Sequence, residues 1–387
     1  MEFTREIKFI IIVVINIKVI NLRIDSYLPV EIISGKNCLL DNKSKLASFG
    51  RRCFIVTGKT SARTSGALND ILKIFAESDT DYFIFDKIEP NPLTSTCKLA
   101  GDKAREFNAD YILGIGGGSA LDAAKAIAIF CSNPHFDHTD IYNRTLPAKK
   151  LPVVLIGTTA GTGSEVTGVS VLTNSETGIK KSISGKDCYA DVAFCDYSYT
   201  KSANNEIRIS TMLDALAHAV ESYFASSSND LVDLYALKAV KILSSYIINS
   251  DFNSLDDRDF EKLYIASIYA GMAINIAGTC FPHTVGYYLT ENFDIPHGRA
   301  CAVFMPEFLN RAKKYCPEKV EAIEVCFGVG FDSFVDSLSK LNNLKIDLCD
   351  MNEELLLSRW KGGIKNFDRT PGGFNEYDAV GAIRKII

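Results

Sequence analysis

Histidine is scarce in this sequence, five in 387 residues, so any imidazole-based site must draw on a short roster. Positive charge is not in excess: 42 Lys and Arg stand against 47 Asp and Glu, a net charge of −5. That removes the electrostatic footprint of a nucleic-acid binder. No C-x-x-C pair occurs among the eleven cysteines. An odd, scattered set in a long chain describes reduced, buried thiols of a cytoplasmic protein, not a disulfide framework. None of the eleven falls at the ligand positions argued below. Long apolar runs are missing as well. Phe9–Ile15 is unbroken but stops at Asn16 and Lys18, too short to span a bilayer. Arg5 and Lys8 precede it as in a signal peptide, yet no small-residue cleavage site follows. Its β-branched content suits a strand, and residues 1–21 are read as an appended segment whose removal leaves activity intact. No internal repeat or low-complexity stretch occurs. At 47% hydrophobic and 23% charged the composition is that of an ordinary globular protein, and the length favours two domains.

Three of the five histidines stand in informative surroundings. Ile209–Phe224 has helical apolar spacing and carries Asp214 and His218 four residues apart, one above the other on a helix face. Such a pair is commonly no more than a helix hydrogen bond. Its company raises its weight: His283 follows Gly278-Thr-Cys-Phe-Pro282 and His297 sits in Ile295-Pro-His-Gly298, so both stand near element ends, where ligands are presented. One carboxylate and three imidazoles make neither a thiolate cage nor an all-oxygen cage. The set suits a catalytic iron or zinc acting as a Lewis acid.

Earlier in the chain, strand patterns alternate with helix patterns. Arg52–Thr57, Asp81–Asp86, Tyr111–Ile115, Leu151–Ile156 and Val192–Cys195 read as strands, and Ser65–Glu77 and Ser95–Phe107 as helices. The alternation predicts βαβ units and a parallel sheet covered on both faces. Beyond Thr200 nearly everything reads helical, with Asp230–Ile248, Phe260–Ile276 and Arg299–Tyr315 as examples. The expected division is an α/β dinucleotide-binding domain over 22–200 and an all-helical, metal-binding domain over 201–387. After Cys316 the helical pattern is weak, and Gly362-Gly363 and Gly372-Gly373 mark loops. Two small-residue loops follow strands. Gly116-Gly-Gly-Ser119 opens a helix whose N-terminus offers free N–H groups to a pyrophosphate, and Gly157–Glu165 could line the opposite side. A tight βα turn and a run of capping residues are the plainer readings of these loops. Together they mark the crevice where open α/β sheets bind ligands.

With these stretches on the page, the sequence resembles the iron-dependent, or group III, alcohol dehydrogenases. The resemblance is carried by Glu89-Pro-Asn-Pro92, Gly116–Lys125, Thr158–Glu165, Met212–Glu221, His283 and Ile295-Pro-His-Gly298, over about Tyr27 to Asn310. It implies a Rossmann-like N-terminal domain, a helical C-terminal domain and a metal between them, Fe2+ favoured and Zn2+ the alternative. By match, Asp214, His218, His283 and His297 would be the ligands. Gly116, Gly117, Gly118, Ser119, Asp122, Asn91, Thr158, Thr159, Thr162 and Lys180 would contact the cofactor. Two positions depart from the family's pattern. Tyr287 stands where a second histidine commonly lies near the nicotinamide, which leaves a tyrosine hydroxyl, a water or direct protonation from solvent to replace a histidine relay. Gly58 stands where many NAD-using members have Asp.

The implied reaction is hydride transfer between a nicotinamide and a small primary alcohol or aldehyde. Neither Ile209–Phe224 nor Gly278–Gly298 contains Lys or Arg, which speaks for a neutral substrate and against a 3-dehydroquinate-synthase-like lyase. A non-catalytic homologue is the other rival, since fold alone does not confer activity. Gly58, with Lys59, Ser61 and Arg63 beside it, favours NADP(H) over NAD(H), because no carboxylate repels a 2′-phosphate there. Glu221, about 20° from Asp214 around the helical wheel, either supports a metal ligand or is a plain helix carboxylate. No membrane partner is expected, and self-association is left open.

Overall fold

A computed structural model describes residues 24–143, 149–249, 251–344 and 353–386. The segment 1–21 therefore lies outside the described residues. Six parallel strands form the main sheet: β1 (Glu31–Ser34), β2 (Arg52–Thr57), β3 (Asp81–Phe85), β4 (Tyr111–Gly116), β5 (Val153–Gly157) and β8 (Val192–Cys195), in the order β1-β8-β5-β4-β2-β3. A separate antiparallel hairpin, β6 (Val169–Thr173) and β7 (Lys180–Ser184), stands apart from it.

The central strands are apolar without alternation because both sheet faces are covered. Cys53 and Ile55 of β2 pack with Tyr111 and Leu113 against α1 (Ala67–Ser78). Phe54 and Val56 pack on the other face with α2 (Thr94–Glu106) and α3 (Gly118–Ser132). β1 was not foreseen. It is four residues long and only half-buried, and it earns its place by parallel pairing with β8 at the sheet edge.

The helical half is organised around α4 (Asn205–Phe224), whose side chains from Met212 to Phe224 are all buried. A helix buried on every side must be surrounded. Here α5 (Asp230–Asn249), α6 (Asp257–Ala277), α7 (Phe281–Phe293) and α8 (His297–Ala302) pack around it. Phe260, Tyr264 and Ile268 of α6 also join the core beneath the sheet, tying the two halves together. Each such fully buried large apolar side chain contributes about 1.5–3 kcal/mol.

The stretch Arg299–Tyr315, expected as one helix, is two: α8 and α9 (Met305–Tyr315), broken at Val303 and Phe304. Pro306 lies in the first turn of α9, where its missing N–H costs nothing, and it cannot continue a helix from before. The weakly patterned tail beyond Cys316 also folds into helices, among them Pro317–Phe327 and Phe331–Asn342. Gly362, Gly363, Gly372 and Gly373 all have positive φ, as irregular loops require. No single described helix is long and apolar enough to cross a membrane.

Candidate active site

The four predicted ligands come together. Asp214 Oδ1 lies 3.7 Å from His218 Nε2, 3.4 Å from His283 Nε2 and 3.8 Å from His297 Nε2. Donors bound to one zinc or iron at about 2.0–2.2 Å stand roughly 3.3–3.6 Å apart at tetrahedral angles, so these separations leave room for one ion. Asp214 and His283 are almost wholly buried, and neither Asp214 Oδ1 nor His283 Nε2 has a hydrogen-bond partner; His218 Nδ1 also lacks one. Buried polar atoms are rarely left unsatisfied, and a cation between Asp214 Oδ1 and His283 Nε2 would satisfy both. The residues present therefore fit a divalent metal.

Local structure explains the convergence. Asp214 and His218 share one face of α4. His283 is the third residue of α7, after the turn at Gly278–Cys280, and His297 opens α8. α8 approaches α4 so closely that a Cβ at Gly298 would collide with the Ser210 carbonyl and with Asp214. Only glycine at that position lets His297 reach Asp214.

Glu221 holds His283. It is fully buried, and its Oε1 lies 2.6 Å from His283 Nδ1 while Oε2 accepts the Cys280 N–H at 2.7 Å. Burial opposes charge on His283, but Cys301, Glu221 and Asp214 around it outweigh burial and push it well above its ordinary range, so a cation that binds Nε2 takes the place of a proton while Glu221 holds the Nδ1–H. Burial pushes His218 down to about 4 and His297 well below its ordinary range, so both imidazoles are neutral and able to ligate near pH 7. Burial opposes charge on Asp214, but the imidazoles around it outweigh burial and hold the carboxyl well below its usual value.

No cysteine stands at the four predicted positions, but one lies close to them. Cys301 Sγ lies 3.8 and 3.7 Å from His297 Nδ1 and Nε2. The ligand atoms of Asp214, His283, His297 and Cys301 all fall within 4.8 Å of one another. The overlooked signal is the spacing: Cys301 is four residues after His297, on the same helix face.

In the sheet half a cleft of about 460 Å³ is lined by Gly58, Lys59, Thr60, Ser61, Ile88, Glu89, Pro90, Gly117, Gly118, Ser119 and Ala120. The N-terminus of α3 opens onto it. The two small-residue loops meet here. Thr159 and Thr162 pack against Gly117 and Gly118, and the Thr158 N–H donates to the Gly116 carbonyl. The second loop also touches the metal helix, since Gly161 abuts the Thr211 backbone without room for a Cβ. Asn91 and Lys180 are joined by a 2.8 Å hydrogen bond, and the Asn91 N–H donates to Ser119 Oγ. Lys180 Nζ lies 5.1 Å from the Tyr287 ring centroid, and that ring stacks on His297 at 5.1 Å and 12°. Burial pushes Lys180 down and the Tyr287 phenol up.

Residues 29–197 match the model of the iron-containing alcohol dehydrogenases, and residues 208–353 match the C-terminal region of the Fe-containing alcohol dehydrogenase family. The chain belongs to the iron-containing alcohol dehydrogenase family. It is an oxidoreductase that interconverts alcohols and aldehydes with a nicotinamide cofactor. A solved iron-containing alcohol dehydrogenase from Thermotoga maritima is 33% identical with a TM-score of 0.86, covering 94% of this chain and 99% of that one. The NADPH-dependent butanol dehydrogenase of Clostridium saccharobutylicum is 29% identical over 83% of this chain and 82% of its own length. The NAD-dependent methanol dehydrogenase of Bacillus methanolicus is 28% identical over 72% and 74%.

Two residues expected near the cofactor have partners within the chain. Arg63, expected beside a 2′-phosphate, does not line the cleft; its guanidinium faces Asp86 at 3.5 Å. Asp122 accepts from the Ser164 hydroxyl at 2.5 Å and from the Val171 N–H at 2.9 Å. Its carboxylate thus clamps the second loop to β6 beside the cleft.

Proposed function

We propose that this alcohol dehydrogenase reduces small aldehydes, and oxidises the corresponding primary alcohols, with Asp214, His218, His283 and His297 holding Fe2+, or Zn2+ in its place. The observation that carries the reading is the buried pair of Asp214 Oδ1 and His283 Nε2, 3.4 Å apart and without hydrogen-bond partners. When bound, the ion supplies Lewis acidity toward an alcohol or carbonyl oxygen, and the nicotinamide supplies the hydride chemistry. The chain's own residues do the rest. Backbone N–H groups at Gly117 to Ser119, at the start of α3, receive the pyrophosphate. Asn91 and Lys180, already joined, orient the ribose next to them. Thr158, Thr159 and Thr162 close the opposite wall. Tyr287, stacked on His297, keeps its phenol protonated and donates that proton as an aldehyde becomes an alkoxide.

NADP(H) is the proposed cofactor. Gly58 brings no carboxylate to the cleft, and Lys59 and Ser61 line it. Glu89 also lines the cleft, and its Oε1 accepts the Thr96 hydroxyl and the Leu93 N–H. The relatives are of both kinds, so the choice rests on these residues. The working division is a cofactor domain over 22–200, whose residues line the cleft, and a metal domain over 201–387. The absence of disulfides among the described cysteines suits a reducing cytoplasm.

The test is oxidation of NADPH and NADH by a panel of small aldehydes, followed by the loss of reduced-nicotinamide absorbance, with protein loaded anaerobically with Fe2+ or with Zn2+. Metal-dependent turnover, with a higher kcat/KM for NADPH, is expected. No turnover on any aldehyde with either ion rejects the activity, and NADH used at least as well as NADPH rejects the cofactor choice.

A further inference from the structure

We propose that Glu291 is a positioning residue for the cofactor, acting through Lys180, and that Arg359 holds it in that role. The inference rests on the reading of Asn91 and Lys180 as the pair that meets the ribose, and adds what fixes that pair in space. Helix α7 carries His283, Tyr287 and Glu291 at intervals of four residues. The three therefore share one stripe of the helix, drifting about 40° per step. His283 stands in the metal cluster, and the Tyr287 ring stacks on His297 and lies beneath the Lys180 ammonium. Glu291 continues the stripe to the main chain of the same lysine: its Oε1 accepts the Lys180 N–H at 2.9 Å. Its Oε2 accepts from the guanidinium of Arg359, on the helix Glu353–Trp360.

An ion pair that stitches the C-terminal tail to α7 is the plainer reading, and it accounts for Oε2 alone. Oε1 is spent on a backbone N–H of the sheet half. Exposed ion pairs contribute little, but the Glu291 and Arg359 side chains are only 9% and 19% exposed. Lys180 pairs with Thr173 as the last rung of the hairpin before its turn, and the Thr173 N–H donates to the carbonyl of Pro92, next to Asn91. The hairpin end is thus held by Pro92 on one strand and by Glu291 on the other, while Lys180 Nζ donates to Asn91 Oδ1. Lysine has much rotamer freedom, and fixing its backbone and ammonium in advance lowers the cost of ordering it when the cofactor binds. Arg359 holds the carboxylate in the one orientation that reaches the Lys180 N–H. Truncating Glu291 therefore weakens cofactor binding and spares the metal.

The test is NADPH binding to the metal-loaded full chain, followed by fluorescence of the reduced nicotinamide, with steady-state kinetics beside it. Glu291→Ala is expected to raise Kd and KM for NADPH about tenfold, the loss of one charge-assisted hydrogen bond, with kcat at saturating NADPH and metal content within about twofold of the wild type. Glu291→Gln keeps an oxygen acceptor for the Lys180 N–H and should recover most of the affinity. Arg359→Met should fall between the two. Adding Glu291→Ala to Lys180→Met should weaken NADPH binding no further than Lys180→Met alone, because both act on one contact. Circular dichroism checks each fold, and Glu291→Met replaces the alanine variant if the smaller side chain unfolds the chain. Unchanged NADPH affinity in Glu291→Ala, additive losses in the double variant, or lost metal with cofactor affinity intact overturns the positioning role and leaves the cofactor reading standing. Unchanged affinity in Arg359→Met overturns the part given to Arg359. A wild type that binds neither NADPH nor NADH overturns the cofactor reading and the positioning role with it.

Discussion

The helical half and the sheet half build their parts of the active site by opposite means. In the helical half the groups proposed to recognise the metal are side chains, a carboxylate and three imidazoles, carried on α4, α7 and α8. In the sheet half those proposed to recognise the cofactor are chiefly backbone N–H groups at the start of α3, reached because Gly117 and Gly118 carry no side chain. A side-chain site loses function when one residue is truncated. A backbone site is altered mainly by adding bulk or charge, as at Gly58.

His297→Ala tests the side-chain half at greatest amplitude. Lewis-acid stabilisation is worth several kcal/mol, so its loss lowers kcat by about three orders of magnitude. Metal analysis should find the ion gone and circular dichroism the fold retained. Full metal content together with full activity in this variant would place the metal elsewhere.

Glu221→Gln probes the support behind the ligands. Removing the charge beside His283 Nδ1 should weaken metal affinity by about 10- to 100-fold, read by titration against a chelator. Unaltered affinity would mean that burial alone orients His283.

Gly58→Asp touches only the backbone half. A carboxylate beside the 2′-phosphate costs on the order of 1–3 kcal/mol, about ten- to a hundredfold in kcat/KM for NADPH relative to NADH. Metal affinity should not move. A change in metal content, or an unchanged cofactor ratio, breaks the separation between the two halves.

Tyr287→Phe has the smallest expected effect. Loss of a positioned proton donor ordinarily costs about a hundredfold or more, but water can substitute here, so kcat for aldehyde reduction should fall about tenfold with metal content intact. An unchanged kcat would assign the tyrosine to stacking on His297 alone.

Much of this site was legible before any coordinates. The strands Arg52–Thr57 and Val192–Cys195 appear with the bounds read from their apolar runs, because a doubly covered strand must be apolar throughout. Asp214 and His218 were legible as a pair because helical geometry alone sets residues four apart on one face. β1 was not legible, since its stability comes from an edge pairing with a strand some 160 residues away and not from its own side chains.

The sequence by itself determined the inventory: the α/β order, the two glycine loops, the four metal-directed donors and the carboxylate-free turn at Gly58. Each follows from local periodicity or from the chemistry of a residue type. Only the tertiary structure decided which inventory items touch. It joined Glu221 to His283, brought Cys301 close to His297 and turned Arg63 toward Asp86. It also made Gly298 the contact that lets α8 meet α4. These outcomes depend on how closely separate helices pack, and close packing is a property of the whole core rather than of any one segment.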